Sequence, residues 1–378
     1  MNSTGPRVED GAVLVYRLFD VADAVDLAAA EAAIAAASAT GATERLRLEG
    51  AQSASAVELP RPPVQVSLGD RDVPLASGVR RAEATAAVYD YGVVSIRYRI
   101  PISPGTTIGA LVPLAEELFV HPSPALDAAA RQEAEALSRL LAPAFEQAHT
   151  WDGLESYQVF LVRRLEGGPW TADALLERAP IAELLLGETS QTPLSEAERA
   201  DVLSNRHSYL VDDLAVVHWN CAFVWEPSGV EDIPDLLELA TAQLLELRFY
   251  DALLDRELHD IYDELERRVG PVVAIFTRRY RLLQRRTAAL LLDLSEMVER
   301  LENAVKIVGD FYLARVYQAA VKRFRLDRWQ ETVLRKQRML ADVNGLIGDA
   351  ADVNRSELME LAIILLILFE IVAAIGGR

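Results

Sequence analysis

Ala84–Ile102 reads ATAAVYDYGVVSIRYRIPI, and its density of β-branched and aromatic residues marks extended structure. Within it, Asp90-Tyr91-Gly92-Val93-Val94-Ser95 and the Pro104-Gly105 turn have a counterpart later in the chain. That counterpart is Asp213-Leu214-Ala215-Val216-Val217-His218, followed by Ser228-Gly229. Each copy reads as a strand, a tight turn and a helix. The match sets the expected fold: an α+β chain with two tandem ferredoxin-like units packed sheet to sheet.

Working outward from that stretch, Ala12–Phe19 (AVLVYRLF) is strand-like, and the Ala-rich Asp20–Ala37 has helical spacing. A connector at Pro60–Pro63 leads into a short strand at Val64–Leu68. Thr107–Val120 is helical up to the His121-Pro122-Ser123-Pro124 break, and Leu126–Gln147 is an amphipathic helix. The order then repeats with a strand at Tyr157–Leu165 and a short helix capped by Thr171. Ile181–Leu186 is apolar, Ser195 and Glu198 form a capping box opening a helix that runs to Tyr209, and Asp213–Glu226 is strand-rich. Residues 1–150 and 151–232 are the two expected units.

Beyond Asp232 the strand signal vanishes. Ile233–Val269 is helical by period, and Gly270-Pro271 is a stop and restart. From Phe276 to Phe311 apolar positions recur with 4,3 spacing, which predicts a coiled-coil seam and a homo-oligomer joined through Leu290, Leu294, Met297, Leu301 and Val308. A second seam runs through Leu326, Val333 and Leu340, so residues 233–355 are expected to form a long helical coiled-coil hairpin. Residues 356–378 complete the expected fold as a C-terminal hydrophobic helix. From Leu358 to Ile375 such a helix is about 27 Å long, close to the hydrocarbon thickness of a bilayer. The expected membrane anchor comprises Leu361, Ile364, Leu368, Glu370 and Ile375; the alternative is a core helix at the centre of a soluble oligomer. Glu370 would cost roughly 2–3 kcal/mol facing lipid at mid-depth.

The Asp213–Glu226 block, the long helices and the ending Arg355–Val372 (RSELMELAIILLILFEIV), with glutamates at Glu360 and Glu370 bracketing an apolar run, resemble the "required for meiotic nuclear division" family. The resemblance covers Tyr157 to Ile375. It departs from the family pattern at Met359 and at Ala362, where the family carries an aromatic residue. It implies an integral membrane protein with no established enzymatic chemistry. Mitochondrial members are tied to the inner membrane and support mitochondrial translation; fungal relatives affect polarity and septation.

Charge is unevenly spread along the 378 residues. Up to Ala240 there are 17 arginines, no lysine and 36 acidic residues, whereas Thr241 to Arg378 holds 21 basic and 21 acidic residues. The acidic front argues against nucleic acid as its partner, because phosphate binding needs a basic footprint. The single cysteine, Cys221, excludes an intrachain disulfide and suits a reducing compartment. The polar start, Met1–Gly11, does not read as a signal peptide. With Arg335, Lys336, Arg338 and Arg355 flanking the terminal helix, the expectation is a single-pass tail-anchored membrane protein whose bulk is cytoplasmic.

Motifs for chemistry are sparse. The chain has no Gly-rich phosphate loop, and its five histidines, His121, His149, His207, His218 and His259, form no pair at zinc-ligand spacing. His218 and Cys221 could be a base and a nucleophile, yet a strand turning at Trp219-Asn220 points them to opposite faces. The acidic run Asp255, Glu257, Asp260, Asp263, Glu264 and Glu266 spreads around a helix, and the basic cluster Arg278, Arg279, Arg281, Arg285 and Arg286 is placed to pair with it. No catalytic residue, cofactor or metal site is expected. The reading is a self-associating membrane scaffold whose acidic α+β head recruits unknown protein partners. The alternative is a membrane-associated enzyme or small-molecule sensor with a site between the two α+β units, which a concave pocket of convergent polar groups would favour.

Overall fold

The computed structural model describes residues 5–37, 43–48, 57–190, 192–266, 273–307, 311–345, 363–364 and 367. The first elements are β1 (Arg7–Asp20), β2 (Ala22–Val25), α1 (Leu27–Ala37), β3 (Thr43–Arg45), β4 (Val57–Glu58), β5 (Val64–Leu75), β6 (Gly78–Val88), β7 (Val93–Pro101) and β8 (Thr106–Thr107). They are followed by α2 (Val112–Ala115), α3 (Pro124–Leu141), β9 (Phe145–Ala148), β10 (Glu155–Leu165), α4 (Ala172–Arg178), α5 (Ile181–Leu186) and α6 (Glu196–Val202). The chain continues with β11 (Arg206–His207), β12 (Leu214–Val217), β13 (Cys221–Trp225), α7 (Asp232–Glu266), α8 (Val273–Ala304), β14 (Lys306–Ile307) and α9 (Tyr312–Phe324), and a helix over residues 326–345. The fold is thus α+β, with a large sheet and C-terminal helices. It divides into two compact units, Met1–Phe249 with Arg300–Arg328, and Tyr250–Glu299 with Trp329–Arg378.

Strands expected in two tandem sheets lie in one. The order is β11-β12-β13-β10-β1-β7-β6-β5-β3, with β8 also on β1. The cause is β1, whose 14 residues use both edges: β7 pairs along one and β10 along the other, both antiparallel. Alternation in sequence says which residues share a face but not which strands meet. The two ferredoxin-like units are therefore replaced by a sheet to which residues 1–150 and 151–232 both contribute.

Period-2 alternation gives the sheet two unlike faces. Val13, Val15, Ile96, Tyr98, Ile100, Phe160 and Phe223 face the main core, where α3 crosses β1, β5 and β7, α1 meets β5, and α5 meets β13. The opposite face carries Tyr16, Ser95, Arg97 and Arg99, aligned across strands by the registers Tyr16↔Arg97 and Leu18↔Ser95. There α9 covers β11 and β12, and the first third of α7 is buried all round, Asp232 to Gln243 without interruption. A helix of that kind is central rather than amphipathic, and here it carries carboxylates.

The expected membrane anchor is overturned. Among the described residues no helix is long and apolar enough to cross a membrane. The apolar run from Leu361 to Ile375 is itself shorter than the ~20 residues a span needs. Ile364 is helical and exposed; Leu361, Leu368, Glu370 and Ile375 lie outside the described residues. The tail-anchored membrane scaffold and its placement in a membrane are withdrawn. The seam residues Leu294, Met297 and Leu301 are buried and Leu290 is half-buried. Val308 and the Gly270-Pro271 break lie outside the described residues.

Candidate functional site

The site forms where α7 meets the polar face of β7. Going down α7 from its first turn, Glu231 reaches Arg99, Asp235 reaches Arg97 at 3.2 Å, Glu238 faces Ser95, and Glu246 comes near Asp20, the residue paired with Val93. Six residues of strand cover ~20 Å and fifteen of helix ~22 Å, so the helix runs antiparallel along the strand with its acidic stripe in step with the strand's polar positions.

Because α7 starts at Asp232, the sheet beyond Arg99 is uncovered, and a groove opens there. Its larger part has a volume of ≈ 430 Å³ and is lined by Asp10, Gly11, Ala12, Asp70, Arg81 and Glu83 together with Arg99 and Arg163. A contiguous hollow of ≈ 360 Å³ adds Thr85 and Arg97. Arg99 on β7 and Arg163 on β10 reach towards each other across β1, whose residues at that point, Gly11 and Ala12, are the smallest available. A Cβ on Gly11 would stand 2.7 Å from the Leu161 carbonyl. The two guanidiniums donate to one oxygen, Glu231 Oε1, Arg163 from 2.5 Å. Glu83 lies directly opposite Arg99 in the strand register, and Arg97 Nε donates to Thr85 Oγ1 at 2.9 Å.

Electrostatics follow from depth. Burial raises the Asp235 carboxyl to about 7 against the pull of Arg97, with Glu238 adding to the rise. Glu238 is raised by burial too, opposed by Arg97 and Ser95. Burial opposes the Arg97 charge, but Tyr16, Glu238, Asp235 and Glu231 outweigh it and hold the guanidinium above its usual range. Burial thus favours the neutral form of the inner carboxyls, while the arginines keep their charge.

At the far end of the same helix is a closed polar cluster. His149 Nε2 lies 2.8 Å from Asp20 Oδ1 and its Nδ1 3.2 Å from Asp23. Glu246 is buried beside them, its carboxyl pushed well up by desolvation and by Asp20 and Asp23. Among the described residues no group of three or more His, Cys, Asp or Glu is placed to hold a metal ion.

The residues singled out from sequence fall elsewhere. His218 sits at the β12–β13 turn with Nδ1 3.3 Å from Asn220, and Cys221 donates to the Leu185 carbonyl. Burial lowers the imidazole and raises the thiol, which keeps Cys221 in its less nucleophilic protonated form. Arg286 pairs with Glu257, as the sequence pairing of the basic and acidic helices anticipated. The groove arginines and His149 with its two aspartates were missed as a site.

A family described as "Uncharacterized protein MJ0711, N-terminal domain" matches residues 10–232. The chain belongs to that family. The matched region spans the sheet from β1 to β13 and ends where α7 begins, so every strand lining the groove is inside it. Among curated proteins, the chain is similar to the uncharacterized protein MJ0711 of Methanocaldococcus jannaschii, 24% identical over 199 residues, which cover 52% of this chain and 59% of that protein. The chain thus spans less than two thirds of the relative's length. The match corrects the resemblance to the "required for meiotic nuclear division" family. That resemblance leaned on an apolar C-terminal run, a feature of composition that unrelated chains share, whereas the match rests on the sheet.

Proposed function

We propose that this chain is a ligand-binding module, not a catalyst, that takes a small oxyanion in the arginine groove. The observation that carries the reading is the convergence of Arg99 and Arg163 on a single carboxylate oxygen at the edge of an open groove. Planar guanidiniums are the side chains best suited to hold carboxylate or phosphate oxygens. The remaining lining narrows the class. Asp10, Asp70 and Glu83 accept but do not donate as carboxylates, so the ligand carries hydroxyl or amine donors besides its anionic group. A hydroxy acid or a sugar phosphate has that mix and fits the volume.

Thermal unfolding with a panel of hydroxy acids and sugar phosphates tests this. A ligand that binds only the folded chain adds about 2.7 kcal/mol at a hundred times its Kd. The expected result is a saturable rise in Tm for at least one compound, lost in Arg163→Met. A panel without effect on the wild type, or a rise that survives Arg163→Met, would sink the reading.

Self-association is a second reading, favoured by Leu282 and Leu292 on α8, which are 59% and 70% exposed. It would use these exposed residues. Light scattering should report an oligomer that Leu282→Glu with Leu292→Glu reduces; a monomeric wild type would end this reading.

A further inference from the structure

We infer that Glu231 is a resident stand-in for the ligand's own anionic group, so that binding displaces it and frees the start of α7. The inference rests on the oxyanion reading of the groove and adds its regulation. Glu231 Oε1 takes hydrogen bonds from Arg99 Nη2 and Arg163 Nη2 together, the geometry that an incoming carboxylate or phosphate oxygen would adopt. The three side chains remain reachable, at 19%, 25% and 35% exposure, so exchange with a solute needs no opening of the core.

The backbone around Glu231 is built to let it move alone. Its carbonyl accepts from Asp235 N at 3.0 Å, which makes it the cap residue before the first turn of α7. On its other side the chain turns at Glu226–Gly229, with Gly229 at φ +83°, and Ser228 Oγ bonded to the Glu226 carboxylate at 2.7 Å. One residue, Val230, separates that fixed turn from Glu231. Asp235, a turn further on, has its own partner in Arg97 and can hold the helix while the cap swings. A resident group that fills the arginine fork lowers apparent affinity by the fraction of time the fork is free. Ligand occupancy is thereby written into the cap of the central helix.

The test is calorimetric titration of the wild type and Glu231→Gln with inorganic phosphate and, separately, with succinate. Glu231→Gln keeps the side-chain size but removes the charge, and it should bind at least one of the two anions about tenfold tighter than wild type. The anion that gains identifies phosphate or carboxylate as the recognised group. Equal or weaker binding by Glu231→Gln, with the wild type still binding, overturns the displacement while leaving the groove reading in place. Absence of binding by both proteins to both anions also overturns the displacement, because the fork then takes no solute anion even when the Glu231 charge is gone. Hydrogen exchange on the wild type serves as the measurement that needs no variant. Saturation with the anion that binds should speed exchange over residues 230–236, and unchanged exchange there counts against displacement.

Discussion

His149 shows how one side chain can set the pH response of the fold. It is held between Asp20 and Asp23 and stacked on Phe249, with ring centroids 4.5 Å apart. Burial works against its charge, but the bonds to the two aspartates win, and the imidazolium is held up to about 9. A folded value above the ordinary 6.5 means that the stabilisation is complete below pH 6.5 and is lost as pH rises through about 9. Asp20 and Asp235, raised to about 6 and about 7, also lose stability with rising pH, but in the lower window. Glu246, pushed well up by burial beside it, and the buried Cys221 thiol act in the same direction, so His149 shares the slope above about pH 7 with them. The loss of the His149 share is expected to cost about 2–3 kcal/mol, and the fall of Tm across that range should be shallower in His149→Gln; an unchanged slope would assign the effect elsewhere. On the other face of the sheet Arg17 is fully buried, with Nε 2.6 Å from Asp127 and Nη1 donating to the Tyr16 carbonyl. Removing only its partner strands a charge in the core. Asp127→Ala should destabilise by about 3 kcal/mol in urea unfolding, and Arg17→Met with Asp127→Ala should recover most of that. A double variant as weak as the single one would mean that Arg17 stabilises through packing instead.

Among the elements, β7 and the turn before it show what the sequence reveals and what it hides. Ile96, Tyr98 and Ile100 alternate with Ser95, Arg97 and Arg99, so one strand holds both the apolar side of the core and the polar floor of the site. That alternation was readable, as were β1, β10 and the caps, where Thr171 accepts from Ala174 N at 3.2 Å and Ser195 from Glu198 N at 3.1 Å. The arginines were not readable as a site, because Arg163 and Glu231 join Arg99 only through the strand order β7-β1-β10 and through a helix whose cap residue lies 132 residues later. Nor did local spacing reveal β2 inside the Ala-rich run that was expected to be wholly helical, since its partner β9 lies more than a hundred residues on. The β6–β7 turn has a tighter constraint. Gly92 has φ +93°, its carbonyl accepts from Val21 N at 3.0 Å, and a Cβ there would lie 1.6 Å from the Ala22 oxygen. Gly92→Ala combines a disfavoured conformation with a clash against backbone, which cannot rotate away. It should destabilise by several kcal/mol, more than the ~1 kcal/mol expected for losing the Thr171 cap. Comparable chemical-denaturation midpoints for the two variants would show that the turn yields easily.

At the scale of the molecule, the strand order decides what can fold alone. A boundary at residue 150, natural from the repeated order of elements, would cut between β1 and β10. These strands pair from Gly11↔Val162 to Leu18↔Glu155 without a break. A fragment of residues 1–150 would expose that edge of β1 and lose Phe160, Val162, Ile181, Leu184 and Phe223 from the main core. Each such side chain is worth ~1.5–3 kcal/mol when buried, and together they are of the same size as the 5–15 kcal/mol by which folded chains are normally stable. The polar face would fare no better. Without α7, Arg97 would lose the carboxylates of Asp235 and Glu238 that hold its charge. The fragment is therefore expected to show no cooperative thermal transition by circular dichroism, whereas the full chain unfolds cooperatively. Restoring residues 151–249 and 300–328 as a separately expressed partner is not needed for the comparison, because the decisive signal is the fragment's own. A sharp transition in residues 1–150, with β-sheet content retained below it, would mean that β1 is stable with only β7 beside it and that the sheet was assembled from two independent halves.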